Sequence, residues 1–195
     1  MALNKRSTLP YRRKREGRTD YRKRLRLLSS HEIRMVVRMS ERNVLAQLVA
    51  YTPEGDRVLV SASSKELEKR GWRASRSNLP CAYLVGLLLA KKAAKAKKPV
   101  RRAILDLGVM QPIAGSRVYA VLAGAVDGGL EVPYSEGVLP GEERIRGKHI
   151  KDYATLLKKD EKRYQRQFSA YLKDGIDPAA FTDYFNKFKE KIMKE

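Results

Sequence analysis

The first thirty residues constrain the fold most, because they cannot be buried. From Tyr11 the chain reads Tyr11-Arg12-Arg13-Lys14-Arg15-Glu16-Gly17-Arg18-Thr19-Asp20-Tyr21-Arg22-Lys23-Arg24, with no aliphatic side chain before Leu25. Residues 1–30 hold 11 basic and 2 acidic side chains, a net of +9. A segment this cationic has no face to bury, and its self-repulsion is expected to hold it extended until a polyanion neutralises it. The core must therefore come from the rest of the 195 residues, which is enough chain for one principal domain with appendages. Hydrophobic residues make up 43%, sufficient for that core. The expected division is a basic arm over 1–30, an α/β core over 31–147 carrying +7, and a helical extension over 148–195 carrying +4.

The total of +20 and a pI near 10.2 call for a polyanionic partner. Two details favour RNA for the arm. Arginine outnumbers lysine, and its planar fork suits bidentate phosphate contact and stacking. Tyr11 and Tyr21 are interleaved with the cations, as stacking on unpaired bases requires. The competing reading is a solubilising or targeting tail. A membrane partner fits less well, since the arm lacks the Leu, Phe and Trp of an amphipathic anchor. The longest apolar patch, Leu84 to Ala90, is too short to span a bilayer, and the first ten residues lack the centre of a secretory signal. A single cysteine, Cys81, excludes an intramolecular disulfide and fits a reducing compartment.

The middle of the chain has the texture of strands. Ile33–Met39, Val44–Tyr51 and Val58–Ala62 are joined by Ser40–Asn43 and Thr52–Arg57, which argues an antiparallel meander. Lys65–Arg70 makes a short helix behind a serine cap, closed by Gly71. Asn78 caps a longer helix with Pro80 in its first turn, running to about Lys97, where Pro99 stops it. Its lysine-rich end suits the helix dipole and suits RNA contact equally. Ala103–Leu107 has the pattern of a buried strand, and a loop through Gly115 leads to a helix over Ser116–Asp127. Leu130–Pro133 is a candidate edge strand. A loop to Gly147, a helix over His149–Lys173 and a final helix after Asp177-Pro178 complete the chain. The stripe Phe181, Phe185, Phe188 and Ile192 is expected to pack on the body, with docking on a neighbour as the alternative. The sum is a mixed α/β fold: a small mixed sheet with an antiparallel meander and packed helices.

Catalytic signals are thin. His31 and His149 are the only histidines, and no H-x-x-x-H, C-x-x-C, G-x-S-x-G or phosphate-loop spacing occurs. Asp106 and Asp127 are candidates for two-metal nuclease chemistry. Asp106 is more simply a strand-end residue bonding loop amides. No cofactor and no catalytic residue is expected.

Three stretches carry a family resemblance. One is the arm running into Tyr21-Arg22-Lys23-Arg24-Leu25-Arg26-Leu27-Leu28. The second is Arg34–Arg38 with Ala46–Val49 and Leu59–Ser64. The third is Ala103–Gly108 followed by Gly115–Val118 and Gly124–Leu130, with Trp72 and Ala82–Gly86 between. Together they resemble the large-subunit ribosomal proteins of the universal eighteen family in its archaeal form, whose eukaryotic counterpart is called protein five. Ala123 and Tyr134 depart from that pattern, where a lysine and a histidine are expected. The resemblance implies a non-enzymatic constituent of the cytoplasmic ribosome. Its implied partners are 5S rRNA in the central protuberance, 23S rRNA and neighbouring large-subunit proteins. Carried over by position, the implied RNA contacts are Arg12, Arg13, Lys14, Arg15, Arg18, Tyr21, Arg22 and Lys23 in the arm. Arg38, Arg42, Asn43 and Gln47 follow on the strands and their turn, then Gly115, Ser116 and Arg117 at a helix N-terminus, a natural anion site. Two rivals stand beside this: a Mg²⁺-dependent ribonuclease on a related sheet, and a sequence-blind nucleic-acid packaging protein. Four Asn and four Gln with 33% charged residues make a thermophile-like balance, which RNA binding also produces.

Overall fold

The computed structural model describes residues 8–135 and 137–194. Lys5 and Arg6 of the basic arm lie outside them. Runs rich in β-branched and other apolar side chains produce β1 (Arg34–Met39) and β2 (Val44–Thr52), joined by a turn in which the Ser40 hydroxyl accepts from the Asn43 amide at 2.9 Å. β3 (Gly55–Ser63) starts three residues earlier than its apolar stretch predicts. Thr52 pairs directly with Gly55, so the connection is only Pro53-Glu54, and the polar residues Asp56 and Arg57 belong to the ladder. The meander then crosses over through α3 (Ser64–Lys69) and α4 (Leu79–Lys95) to β4 (Ile104–Asp106), which lies parallel to β1. The sheet order is β3-β2-β1-β4, a mixed sheet as expected.

Side-chain alternation gives the sheet two different faces. Met35, Val37, Ala46, Leu48, Val60 and Ala62 join the core under α4 and α5 (Arg117–Asp127). Arg34, Val36, Arg38, Gln47 and Asp106 alternate onto the opposite, open face. Asn78 caps α4 by accepting from the Cys81 amide at 3.0 Å, and the helix ends two residues before Lys97. Cys81 is fully buried, and burial pushes its thiol up to about 12. The α4–α5 contact is backbone-close. A Cβ on Gly86 would lie 1.9 Å from the Val121 carbonyl oxygen, and one on Gly124 2.0 Å from that of Tyr83. These glycines serve helix packing, and Ala123 beside Gly124 is buried, so that position faces the core rather than a phosphate.

Several expectations change in detail. The Ser63 side chain makes no cap; the Ser64 hydroxyl instead accepts from the Val44 amide at 3.1 Å, tying α3 to β2. The edge strand at 130–133 is reduced to one parallel bridge between Arg102 and Glu131, because Pro133 has no amide to extend it. The loop before Gly147 contains α6 (Glu142–Ile145). The long helix expected over 149–173 is three: α7 (Lys148–Leu157), α8 (Glu161–Gln167) and α9 (Ser169–Lys173). Asp160 caps α8 by accepting from the Arg163 amide at 3.2 Å, and the break folds Phe168 back onto Ala154 and Leu157. After a 3₁₀ turn at Pro178–Ala180, α10 (Phe181–Lys194) buries Phe181, Phe185, Phe188 and Ile192 in the main core. Trp72 meets Phe188 at 5.2 Å and Tyr184 at 5.1 Å between ring centres. The aromatic stripe thus packs on the body.

The arm is not extended. It forms one helical turn, α1 (Arg12–Arg15), and then α2 (Tyr21–Leu28). Asp20 caps α2 by accepting from the amides of Arg22 and Lys23, and Leu27 and Leu28 are half-buried. The cap, the two leucines and the ties of Arg24 to Asp56 and of Lys23 to the Gly108 carbonyl together offset the repulsion.

Candidate nucleic-acid interface

α2 lies across the open face of the sheet, held by a chain of charges. Arg24 donates to both carboxylate oxygens of Asp56, at 2.8 and 2.9 Å. Arg34, 2% exposed, donates from Nη1 to Asp106 Oδ2 at 2.8 Å, while its Nη2 lies 2.8 Å from Asp56 Oδ1. The relay therefore runs from the arm through β3 and β1 to β4. The Arg24 guanidinium, helped by Arg34, holds the Asp56 carboxyl below its ordinary range against the opposing effect of burial. Asp106 Oδ1 also accepts from the Gly108 amide at 2.8 Å, as a strand-end aspartate should. Its oxygens are committed to structure, and Asp127 accepts from the Tyr83 hydroxyl at 2.6 Å. Neither nuclease candidate is placed for metal chemistry, and no group of His, Cys, Asp and Glu among the described residues could hold a metal ion.

Between arm and sheet lies a cleft of about 560 Å³. Val36, Gln47, Val49 and Val58 line it from the sheet, and Arg13, Arg18, Tyr21, Lys23 and Arg38 surround them. Asp20, Asp56 and Asp106, engaged by the α2 amides and by arginines, are also in the lining. Lys23 Nζ donates to the Gly108 carbonyl at 3.1 Å, and Arg38 donates to the carbonyls of Val37 and Asp106 at 2.8 and 3.2 Å. Gly108 has φ +61°, and a Cβ there would sit 3.0 Å from the Arg38 guanidinium, so glycine leaves that cation its place. Apolar floor, aromatic wall and surrounding cations make a surface suited to an unpaired base flanked by phosphates.

The sequence-derived residues fall into two groups. Arg13, Arg18, Tyr21, Lys23, Arg38 and Gln47 share the cleft. Arg12 and Arg18 pair with Glu16, both at 3.3 Å, and Arg13 Nε donates to Thr19. Tyr21 rests against Tyr11, with ring centres 5.1 Å apart. Lys14, Arg15, Arg22 and Arg42 are exposed and have no side-chain partner among the described residues. The second group is at the far end of β1. Arg117 donates to the Ser77 carbonyl at 2.8 Å, and the Ser77 hydroxyl donates to the Glu41 carbonyl at 2.6 Å. This brings Gly115-Ser116-Arg117 beside the turn that holds Arg42 and Asn43. Asn43 Oδ1 accepts from Ser64 at 3.5 Å, and the Ser116 side chain makes no cap on α5, leaving its hydroxyl unspent. Arg24, Arg34, Asp56 and Gly108 are the residues that residue-by-residue reading passed over. The signal was present for one pair: an arginine in a buried strand demands a carboxylate, and Asp106 is the acid of the neighbouring strand.

The family model for "Ribosomal large subunit proteins 60S L5, and 50S L18" matches residues 5–100 and 93–135. This chain belongs to that family. Its members are structural constituents of the large ribosomal subunit, not enzymes. Among curated proteins it is similar to large ribosomal subunit protein uL18 of the archaeon Methanococcus maripaludis, at 47% identity over 193 residues, covering 99% of each chain. A place in the cytoplasmic ribosome follows from the family, and no described helix is long and apolar enough to cross a membrane.

Proposed function

We propose that this protein binds 5S rRNA and helps attach it to 23S rRNA in the central protuberance, alongside neighbouring large-subunit proteins. The observation that carries this reading is the cleft between α2 and the open sheet face. It combines cations for phosphates with Tyr21, Gln47 and an apolar floor for a splayed base, the combination used on single-stranded RNA loops. The exposed cations of α1, with Arg22, Arg42 and the Gly115–Arg117 turn, extend the surface along the backbone and fix register rather than sequence. Sequence-blind packaging does not call for a cleft of this kind, and both oxygens of Asp106, the strand-borne acid of the nuclease reading, are held by Arg34 and the Gly108 amide.

Titration of labelled 5S rRNA against the purified full chain tests the proposal. Affinity is expected to exceed that for an unrelated folded RNA of equal length. It should fall with salt at a log–log slope of about −0.7 to −0.9 per phosphate neutralised. Arg38→Ala is expected to weaken binding by about tenfold, one good contact's worth. Equal affinity for the unrelated RNA, or for duplex DNA, would overturn the reading.

A further inference from the structure

α2 is attached to the body largely through polar groups. It buries no side chain fully, and Leu25 on its outer face is 70% exposed. The joint behind it does not hold it down. The Ser29 and Ser30 hydroxyls donate back to the carbonyls of Arg26 and Leu27, bonds that stay within the arm. His31 follows at φ +55°, the one non-glycine residue in the left-handed region among the described residues, a strained pivot rather than a brace. The hydrogen bonds that reach from α2 to the body are those of Lys23 to the Gly108 carbonyl and of Arg24 to Asp56.

Of these, the Arg24–Asp56 pair has fixed geometry on the receiving side. Arg24 presents both ends of its fork, at 2.8 and 2.9 Å. Asp56 is held from behind by Arg34, whose side chain is 3% exposed and is itself paired with Asp106. A carboxylate anchored in this way cannot follow the arm, so it decides where Arg24 rests. The cleft depends on that position. Arg13, Arg18, Tyr21 and Lys23 stand opposite the sheet only while α2 is docked.

Asp56 is nevertheless an acid on a face that receives a polyanion, where a count of charges makes it unfavourable. Two roles are open to such a group. One is a decoy, a counter-ion that phosphate displaces from Arg24. The other is a peg that holds the arm in place. The geometry favours the peg: a phosphate that drew Arg24 away would also release the helix that carries the rest of the wall.

We infer that Asp56 is a positioning residue for RNA binding: by fixing Arg24 it sets α2 over the sheet before RNA arrives, and an acid thereby strengthens the binding of a polyanion. Arg24, alone among the arm's arginines, is spent on this latch and not on phosphate. An arm already in place loses less freedom on binding than one that must order on the RNA. The inference rests on the cleft being the 5S rRNA site.

The test uses the full chain, labelled 5S rRNA and a generic RNA duplex of about 16 base pairs. Asp56→Asn is expected to weaken 5S binding about tenfold at an unchanged salt slope, because no cation has been removed. The duplex, which has no splayed base for the cleft, should bind that variant at least as tightly as wild type. Arg24→Ala should match Asp56→Asn in 5S affinity and also leave the slope unchanged. The double variant should be weaker than either single one by no more than about twofold. Tighter 5S binding by Asp56→Asn would identify a decoy and overturn the inference. So would additive losses, or a slope flattened by about 1 in Arg24→Ala, the mark of a direct phosphate contact. Arg24→Ala keeps both Arg34 ion pairs, and so carries the test if Asp56→Asn disturbs the body. Amide exchange of α2 without RNA separates the latch from the proposed function. Faster exchange in both variants, with no wild-type preference for 5S rRNA, would sink the function and leave the latch; unchanged exchange would sink the latch.

Discussion

Single atoms decide the packing of α4 on α5. Gly86 and Gly124 each put a backbone where a methyl group would need to be, with carbonyl oxygens at 1.9 and 2.0 Å from the Cβ position. No side-chain rotation relieves such a clash, so the helices must separate. Gly86→Ala or Gly124→Ala is expected to cost about 3 kcal/mol, the upper end for overpacking, read as a lowered urea midpoint at unchanged m-value. Gly128→Ala meets the Ala90 methyl at 2.5 Å and the carbonyl oxygens of Gly124 and Ala125 no closer than 3.3 Å, and should cost less. At Asp56 the sign of a pH effect follows from its depressed pKa. The ion pair with Arg24 is fully present above the ordinary carboxylate range, near pH 4, and is lost as pH falls through the lower folded value. Amide exchange in α2 should therefore be constant from pH 7 to 5, after correction for intrinsic rates, and accelerate only in stronger acid. Asp56→Asn should reproduce the acid behaviour at neutral pH. Release of α2 already by pH 5 would contradict the latch.

Whole elements were legible where a cap and a period agreed. Asn78, Pro80 and the leucine spacing placed α4 to within two residues, and the aromatic spacing placed α10 on the core. Legibility failed where tertiary contact outvoted local pattern. Charge counting alone left the arm extended, because nothing in residues 21–28 reveals that Asp56 and Gly108 wait on the sheet to receive Arg24 and Lys23. The stripe from Tyr153 to Tyr171 looked like one helix, but a straight rod could not return Phe168 to Ala154. The arm cations and Tyr21 were recognisable as binding residues; the relay that positions them was not, since it joins residues up to 72 positions apart. For α10 the consequence is measurable. Trp72 is the only tryptophan and lies against Phe181, Tyr184 and Phe188. Phe185→Ala should cost about 3–5 kcal/mol, and removal of residues 177–195 should shift Trp72 emission to the red as water reaches the indole.

The molecule as a whole separates cohesion from recognition. Its core is bounded by one sheet face, α4, α5 and α10, while its unpaired cations lie outside that core, on the arm, the β1–β2 turn, the bend after α4 and the exposed faces of the C-terminal helices. Deleting residues 1–24 removes Arg24 but leaves Arg34 with both Asp56 and Asp106. The truncated chain is expected to fold cooperatively and to bind 5S rRNA weakly, with a flatter salt response; loss of its near-ultraviolet circular dichroism would show that α2 belongs to the folding unit. A last consequence comes from Cys81. The thiolate is the reactive form, and here a thiol whose pKa is near 12 sits sealed in the first turn of α4. An alkylating reagent added to the native protein must wait for α4 to come away from its neighbours. The labelling rate then counts openings of the core, making this one sulfur a clock for how often the molecule comes apart, and for how much a bound RNA slows it.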